Sequence, residues 1–151
     1  MKLRLLELLS PSNDRGSSLV EAALFAPVLI LLFAGAVDLG RAYYVAIEVS
    51  SAASSGALYG VQNYSDITGM TAAAQLDALD VPGLATTAVY GCECSDGTLA
   101  SNTCSSLPLC STNVVNYVQV NTTATYSSIF SYSGLPASFV LKGNARMRSA
   151  H

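Results

Sequence analysis

The sequence predicts an α+β chain in which one long helix, apolar in its first half, precedes a small antiparallel sheet. Three observations predict it. Residues 22–37 carry no charge, and with residues 17–20 they approach the ~20 residues that a helix needs to cross a ~30 Å hydrocarbon core. From residue 86 the hydrophobic period falls to two, the period of a strand. Four cysteines, Cys92, Cys94, Cys104 and Cys110, fall within nineteen residues, a density typical of a small exported domain with a thin core.

One charge, Glu21, interrupts the apolar run. A carboxylate inside a membrane helix costs on the order of 2.5–3.5 kcal/mol on insertion scales, so Glu21 needs a partner and reads as functional. Its place near the start of the helix suits it, because the positive end of the helix dipole favours an anion there. Pro27 removes one backbone donor, which a membrane helix accommodates by a kink or a local opening. Beyond residue 38 the helix is expected to continue to about residue 59, since Leu39, Tyr43, Ala46, Val49, Ala53, Ala57 and Gly60 recur at spacings of three and four. The pairs Ala53/Ala57 and Gly56/Gly60 let another element approach closely, either the chain's own head or a second subunit.

Residues 62–69 read as a loop. Residues 70–79 read as a short helix capped by Thr68 or Thr71 and stopped by Asp80-Val81-Pro82-Gly83. In the strand that starts at Thr86, Cys92 and Cys94 share a side and so do not bridge each other. Residues 95–113 form a polar loop that needs stapling. A strand over residues 114–126 places Val118, Val120 and Ala124 on one face and Tyr117, Gln119, Asn121 and Thr123 on the other. A last strand over residues 138–148 turns Phe139, Leu141, Ala145 and Met147 inward and Lys142, Arg146 and Arg148 outward. Three such strands make a sheet that packs on a helix. Two disulfides are expected. Sequence permits three connectivities, and a nested one, Cys92–Cys110 with Cys94–Cys104, would extend a ladder between strand and returning loop.

The remaining composition narrows the function. The net charge is −3, and no Lys or Arg occurs between Arg41 and Lys142, so the cationic cluster that nucleic acid requires is missing from the sequence. The spacing C-x-C-x9-C-x5-C lacks the paired knuckles of a zinc site. Asp77 and Asp80 without a ligand-rich loop read as a solvated helix face rather than a calcium site. The single histidine, His151, ends the sequence, leaving a serine or cysteine nucleophile without a base. No glycine-rich phosphate loop appears. The chain therefore reads as a non-enzyme with no cofactor. Lys2, Arg4 and Arg15 precede the apolar run and Arg41 alone follows closely, which places the N-terminus in the cytoplasm and residues after 37 outside.

A prepilin-type leader ends in glycine, and cutting after it leaves a free amino terminus five residues from a glutamate. Gly16 followed by Ser17-Ser18-Leu19-Val20-Glu21 has that spacing. Together with Ala23-Leu24, Pro27-Val28-Leu29, the Leu-rich run, Gly35 and Val37-Asp38-Leu39-Gly40-Arg41, residues 15–60 resemble the TadE-like family of pilus assembly proteins, pseudopilins of the tight-adherence (Flp, type IVc) system. Ala22 stands where major pilins of this system carry an aromatic residue, and Ser17 replaces the phenylalanine of ordinary type IV pilins; the resemblance therefore implies a minor pseudopilin. It also implies a pilin-like fold: a leader over residues 1–16, a transmembrane helix over 17–37, its extracytoplasmic continuation over 38–60 and an α+β head over 61–151. The implied partners are a prepilin peptidase cutting between Gly16 and Ser17, other pilins or pseudopilins aligned through Glu21, and an assembly platform in the bacterial inner membrane. Other readings compete with it: a secretory signal peptide cleaved after Ala34-Gly35-Ala36, an uncut signal anchor, and a membrane-anchored binding module that uses the loop over residues 95–113.

Overall fold

A computed structural model describes residues 14–98, 100–102, 104, 110–111, 113–130, 134 and 136–149. Residues 1–13 of the expected leader, much of the loop after residue 98, and His151 lie outside the described residues. The elements run α1 (Asp14–Gln62), α2 (Ile67–Asp77), β1 (Ala85–Cys94), β2 (Ala100–Ser101), β3 (Val114–Ser127) and β4 (Ser138–Ser149). The chain divides into two compact units, Met1–Val37 and Asp38–His151.

In the first unit α1 is helical throughout its described residues and continues through Pro27. Every large apolar side chain in residues 19–37 is more than half exposed. By length and composition this helix is a candidate membrane span near the N-terminus, and none of its most apolar stretch is buried.

The second unit is a four-stranded antiparallel sheet of order β2-β1-β3-β4, packed on α2 and on α1 from Asp38 onward. The two-residue β2 at the edge lies in the stretch expected to be loop. The core is small: Val49, Ala52 and Ala57 of α1, Met70 and Ala74 of α2, Ala88 of β1, and Val118, Val120 and Ala124 of β3. Glycine makes such close packing possible. A Cβ on Gly56 would stand 2.7 Å from the Met70 carbonyl and 3.2 Å from Val120. A Cβ on Gly143 would collide with the Val49 carbonyl and the Thr122 hydroxyl, with the Ser50 backbone at 3.0 Å. The buried Thr122 hydroxyl donates to the Val49 carbonyl at 2.6 Å, and the Ser149 hydroxyl to Val61 at 3.0 Å.

Several local expectations are corrected. The buried stripe of α1 includes Val49, Ala53 and Ala57 as expected, but Leu39 and Tyr43 are about 70% exposed and the packed face begins instead with Asp38 and Ala42. The cause is polar: Asp38 is held inside by hydrogen bonds, which a hydrophobic count does not see. Helix α2 starts three residues early and is capped by Asp66, whose carboxylate accepts from Gly69 N–H at 2.9 Å and from the Tyr59 hydroxyl at 2.8 Å. The Gly69 N–H first and the Tyr59 hydroxyl second hold its carboxyl below the usual range. Asp77 and Asp80 accept from Ser51 (2.8 Å) and Tyr44 (3.1 Å), so both tie α2 and its exit to α1. Phe139, expected inward, is 41% exposed at the end of the sheet, its ring against Tyr126.

Candidate functional site

The first candidate is the start of α1. Residues 14–17 are helical, so Gly16 and Ser17 precede Glu21 by about one turn and a half at most. Glu21 is exposed between the exposed side chains Val20, Leu24 and Phe25. It is the single charge in residues 17–37. Among the described residues it has no hydrogen-bond or ion-pair partner. A carboxylate so placed on an apolar helix face needs a cation supplied from outside that face.

The second candidate lies where the apolar run ends. Asp38 is buried, and its Oδ1 accepts from the Tyr126 hydroxyl at 2.7 Å and from Ile129 N–H at 3.0 Å. The Tyr126 hydroxyl is also 2.9 Å from the Asp38 carbonyl. The Arg41 guanidinium lies over the Tyr126 ring, 5.9 Å from its centroid. Sequence reasoning marked Asp38 and Arg41 within a motif and missed Tyr126, whose partner is 88 positions away. A polar tyrosine at the end of a strand was the available signal, because a buried phenolic hydroxyl finds a partner.

The third is the stapled end of the sheet. The disulfides are Cys92–Cys104 and Cys94–Cys110, each with Cα atoms 5.5 Å apart. This overturns the nested expectation, and strand register explains why. In β1–β2 pairing Cys92 faces Ser101, so the chain leaving β2 passes the Cys92 level on its way to Cys104. In β1–β3 pairing Cys94 faces Val114, so the chain returning through Cys110 arrives at the Cys94 level. On the opposite face, Glu93 is buried between Arg146 and Arg148, the latter donating from Nε at 2.7 Å. Burial pushes the Glu93 carboxyl up, but the Arg148 hydrogen bond and the Arg146 charge outweigh it and hold the group below its ordinary value. The Arg146 guanidinium stacks 3.8 Å above Tyr117. Tyr117 lies on the expected outer face but is buried there, its hydroxyl donating to Asn102 at 2.7 Å and its ring occupying the space that a side chain at Gly91 would fill. This end is a covalently and ionically fastened scaffold. Among the described residues no three His, Cys, Asp or Glu side chains converge as metal ligands would.

Comparison with known families singles out the first two candidates. The family model described as TadE-like protein matches residues 16–58. This segment is similar to that family. The match opens on Gly16, contains Glu21, Asp38 and Arg41, and closes at Leu58, before α2 and the whole sheet. No curated protein and no solved structure matches the chain. The matched segment covers the membrane-type helix and the part of α1 that underlies the head, and stops short of the stapled sheet.

Proposed function

We propose that the chain is a minor pseudopilin of a tight-adherence (Flp, type IVc) pilus, a structural subunit rather than an enzyme. The observation that carries this reading is Glu21: one carboxylate on an exposed apolar helix, five residues after Gly16, inside a TadE-like segment. In this reading residues 1–16 are a leader removed by a prepilin peptidase between Gly16 and Ser17. Residues 17–37 span the bacterial inner membrane with the N-terminus on the cytoplasmic side, residues 38–60 continue the helix outside, and residues 61–151 form the head. Cutting creates an ammonium at Ser17. Within one helix it lies about 6 Å along the axis from Glu21, and in a staggered neighbour it offers the same carboxylate a partner together with helix packing. Glu21 then aligns subunits with other pilins or pseudopilins on the assembly platform.

The test is the mature N-terminus of membrane-extracted protein, read by mass spectrometry. A chain beginning at Ser17 is expected. One beginning at Val37 would establish a secretory signal peptide, and an intact Met1 an uncut anchor. Glu21→Gln, which keeps the shape and removes the charge, should still insert and be cut yet fail to support piliation. Normal pili in Glu21→Gln cells, with none in cells lacking the protein, would end the alignment role.

A further inference from the structure

The end of the head sheet nearest Asp38 has the makings of a second membrane contact. Two hydrogen bonds give the direction of β3 relative to α1: Thr122 meets Val49 and Tyr126 meets Asp38. Four strand residues cover ~13 Å and eleven helical residues ~16 Å, so β3 runs alongside α1 toward lower helix numbers. β4 agrees, with Ser149 at Val61 and Gly143 at Val49. The chain leaving β3 therefore arrives at the N-terminal end of the head's helix, where Ile129 N–H is bound to the Asp38 carboxylate. Asp38 follows Val37, the last residue of the uncharged run, directly in sequence.

Apolar side chains are exposed at this end: Leu39 at 73%, Ile129 at 54%, Val140 at 57% and Phe139 at 41%. They come from α1, from the exit of β3 and from both faces of β4. The one acid among them, Asp38, is buried and satisfied. Arg41 and Lys142 bound the hundred-residue stretch without Lys or Arg. Arg41 is exposed at this end, its guanidinium over the Tyr126 ring, and among the described residues it makes no ion pair with a carboxylate; Lys142, paired with Thr123, is exposed three strand residues, ~10 Å, farther from this end. The head's other two arginines, Arg146 and Arg148, are held by Glu93. Exposed apolar side chains with a cation beside them that makes no ion pair, continuous in sequence with a membrane-type helix, fit the interfacial layer of an anionic bilayer.

We infer that Ile129, Val140, Phe139 and Leu39 rest in the lipid headgroup layer, so that the head is held to the membrane by its sheet as well as by its helix, with Arg41 toward anionic phosphates. This rests on the membrane anchoring in the proposed function. The Asp38–Ile129 hydrogen bond then has a role: it fixes the exit of β3 beside the residue that follows the uncharged run.

The sequence holds no tryptophan, so a single introduced one reports its own surroundings. Full-length Ile129→Trp, Leu29→Trp and Leu58→Trp proteins would be reconstituted in phosphatidylethanolamine–phosphatidylglycerol vesicles, with and without brominated acyl chains. Leu29 lies within the apolar run, and Leu58 is an exposed site ~30 Å along α1 from Asp38. The expected result is strong bromine quenching at Leu29→Trp, clear quenching with a blue-shifted emission at Ile129→Trp, and none at Leu58→Trp. Quenching at Leu29→Trp with Ile129→Trp behaving like Leu58→Trp would overturn the inference and leave the anchor standing. A blue shift at Ile129→Trp without quenching would overturn it in favour of a protein neighbour. An unquenched Leu29→Trp would remove the anchor itself, and the inference with it.

Discussion

The two halves of α1 are built on opposite rules. In residues 19–37 the helix carries large apolar side chains, all more than half exposed. From Asp38 onward the face that packs on the head is made mainly of small residues, and Ala52, Ala53 and Ala57 are completely buried. A water-soluble domain would show the reverse, with large side chains inside and small or polar ones outside. Large side chains give the first half an apolar surface for a solvent that the chain does not itself provide. Small ones let the second half bring its backbone against β3, β4 and α2, so that hydrogen bonds from Thr122 and Ser149 reach helix carbonyls. The same secondary structure thus offers an exposed apolar surface in one half, as a candidate membrane span does, and close backbone packing in the other.

The largest way to break this contrast is at Gly143, where the helix backbone rests on the sheet. Gly143→Val puts a side chain into the Val49 carbonyl and the Ser50 backbone, and neither can turn aside as a flexible side chain would. We expect a loss of about 3 kcal/mol or more in head stability, at or beyond the upper end of ordinary overpacking. Thermal unfolding of the full chain in detergent, followed through the tyrosine near-ultraviolet signal, measures it. An unchanged midpoint would mean that α1 does not seat on β4.

A smaller effect is expected at the stapled end. Glu93→Gln removes the carboxylate between Arg146 and Arg148. Because both arginines are partly exposed (38% and 51%), the loss should be about 1–2 kcal/mol, below the cost of breaking a fully buried pair. The sign with pH follows from the direction of the shift. The folded carboxyl titrates below its ordinary value of 4.5, so its stabilisation is complete above that value and is lost as pH falls through the lower folded value. The gap in unfolding midpoint between wild type and Glu93→Gln should be constant from neutral pH to about pH 5 and close in stronger acid. A gap that widened in acid would mean that Glu93 is not held as an anion.

How much of this was legible in sequence depends on whether the signal was local. The apolar run, Glu21 and the period-two strands are local, and the helix and three main strands lie within a few residues of their expected bounds. The alternation of β1 also placed Cys92 and Cys94 on one side. Their partners were a matter of two registers, β1 with β2 and β1 with β3, which no local pattern fixes. Tyr117 was assigned the outer face, but its burial depends on Arg146, Asn102 and the bare backbone of Gly91, each on another strand or a loop. Asp38 read only as the charge that ends a span. Its role in holding Ile129 became visible when β3 was placed beside α1.

The smallest expected effect is also the one that sharpens the contrast most. Leu31→Ala removes a side chain that is 65% exposed and lies in the first unit. In a folded, water-soluble helix bundle, Leu→Ala at a packed position costs about 2–5 kcal/mol. Here the side chain has no place in the head core, and in detergent it meets the same hydrocarbon whether the head is folded or not. The midpoint of head unfolding should therefore stay within about 0.5 kcal/mol of wild type, the range of surface substitutions away from special features. A loss of 2 kcal/mol or more would show that the apolar half packs on protein within the same chain, and the division of labour along α1 would fail.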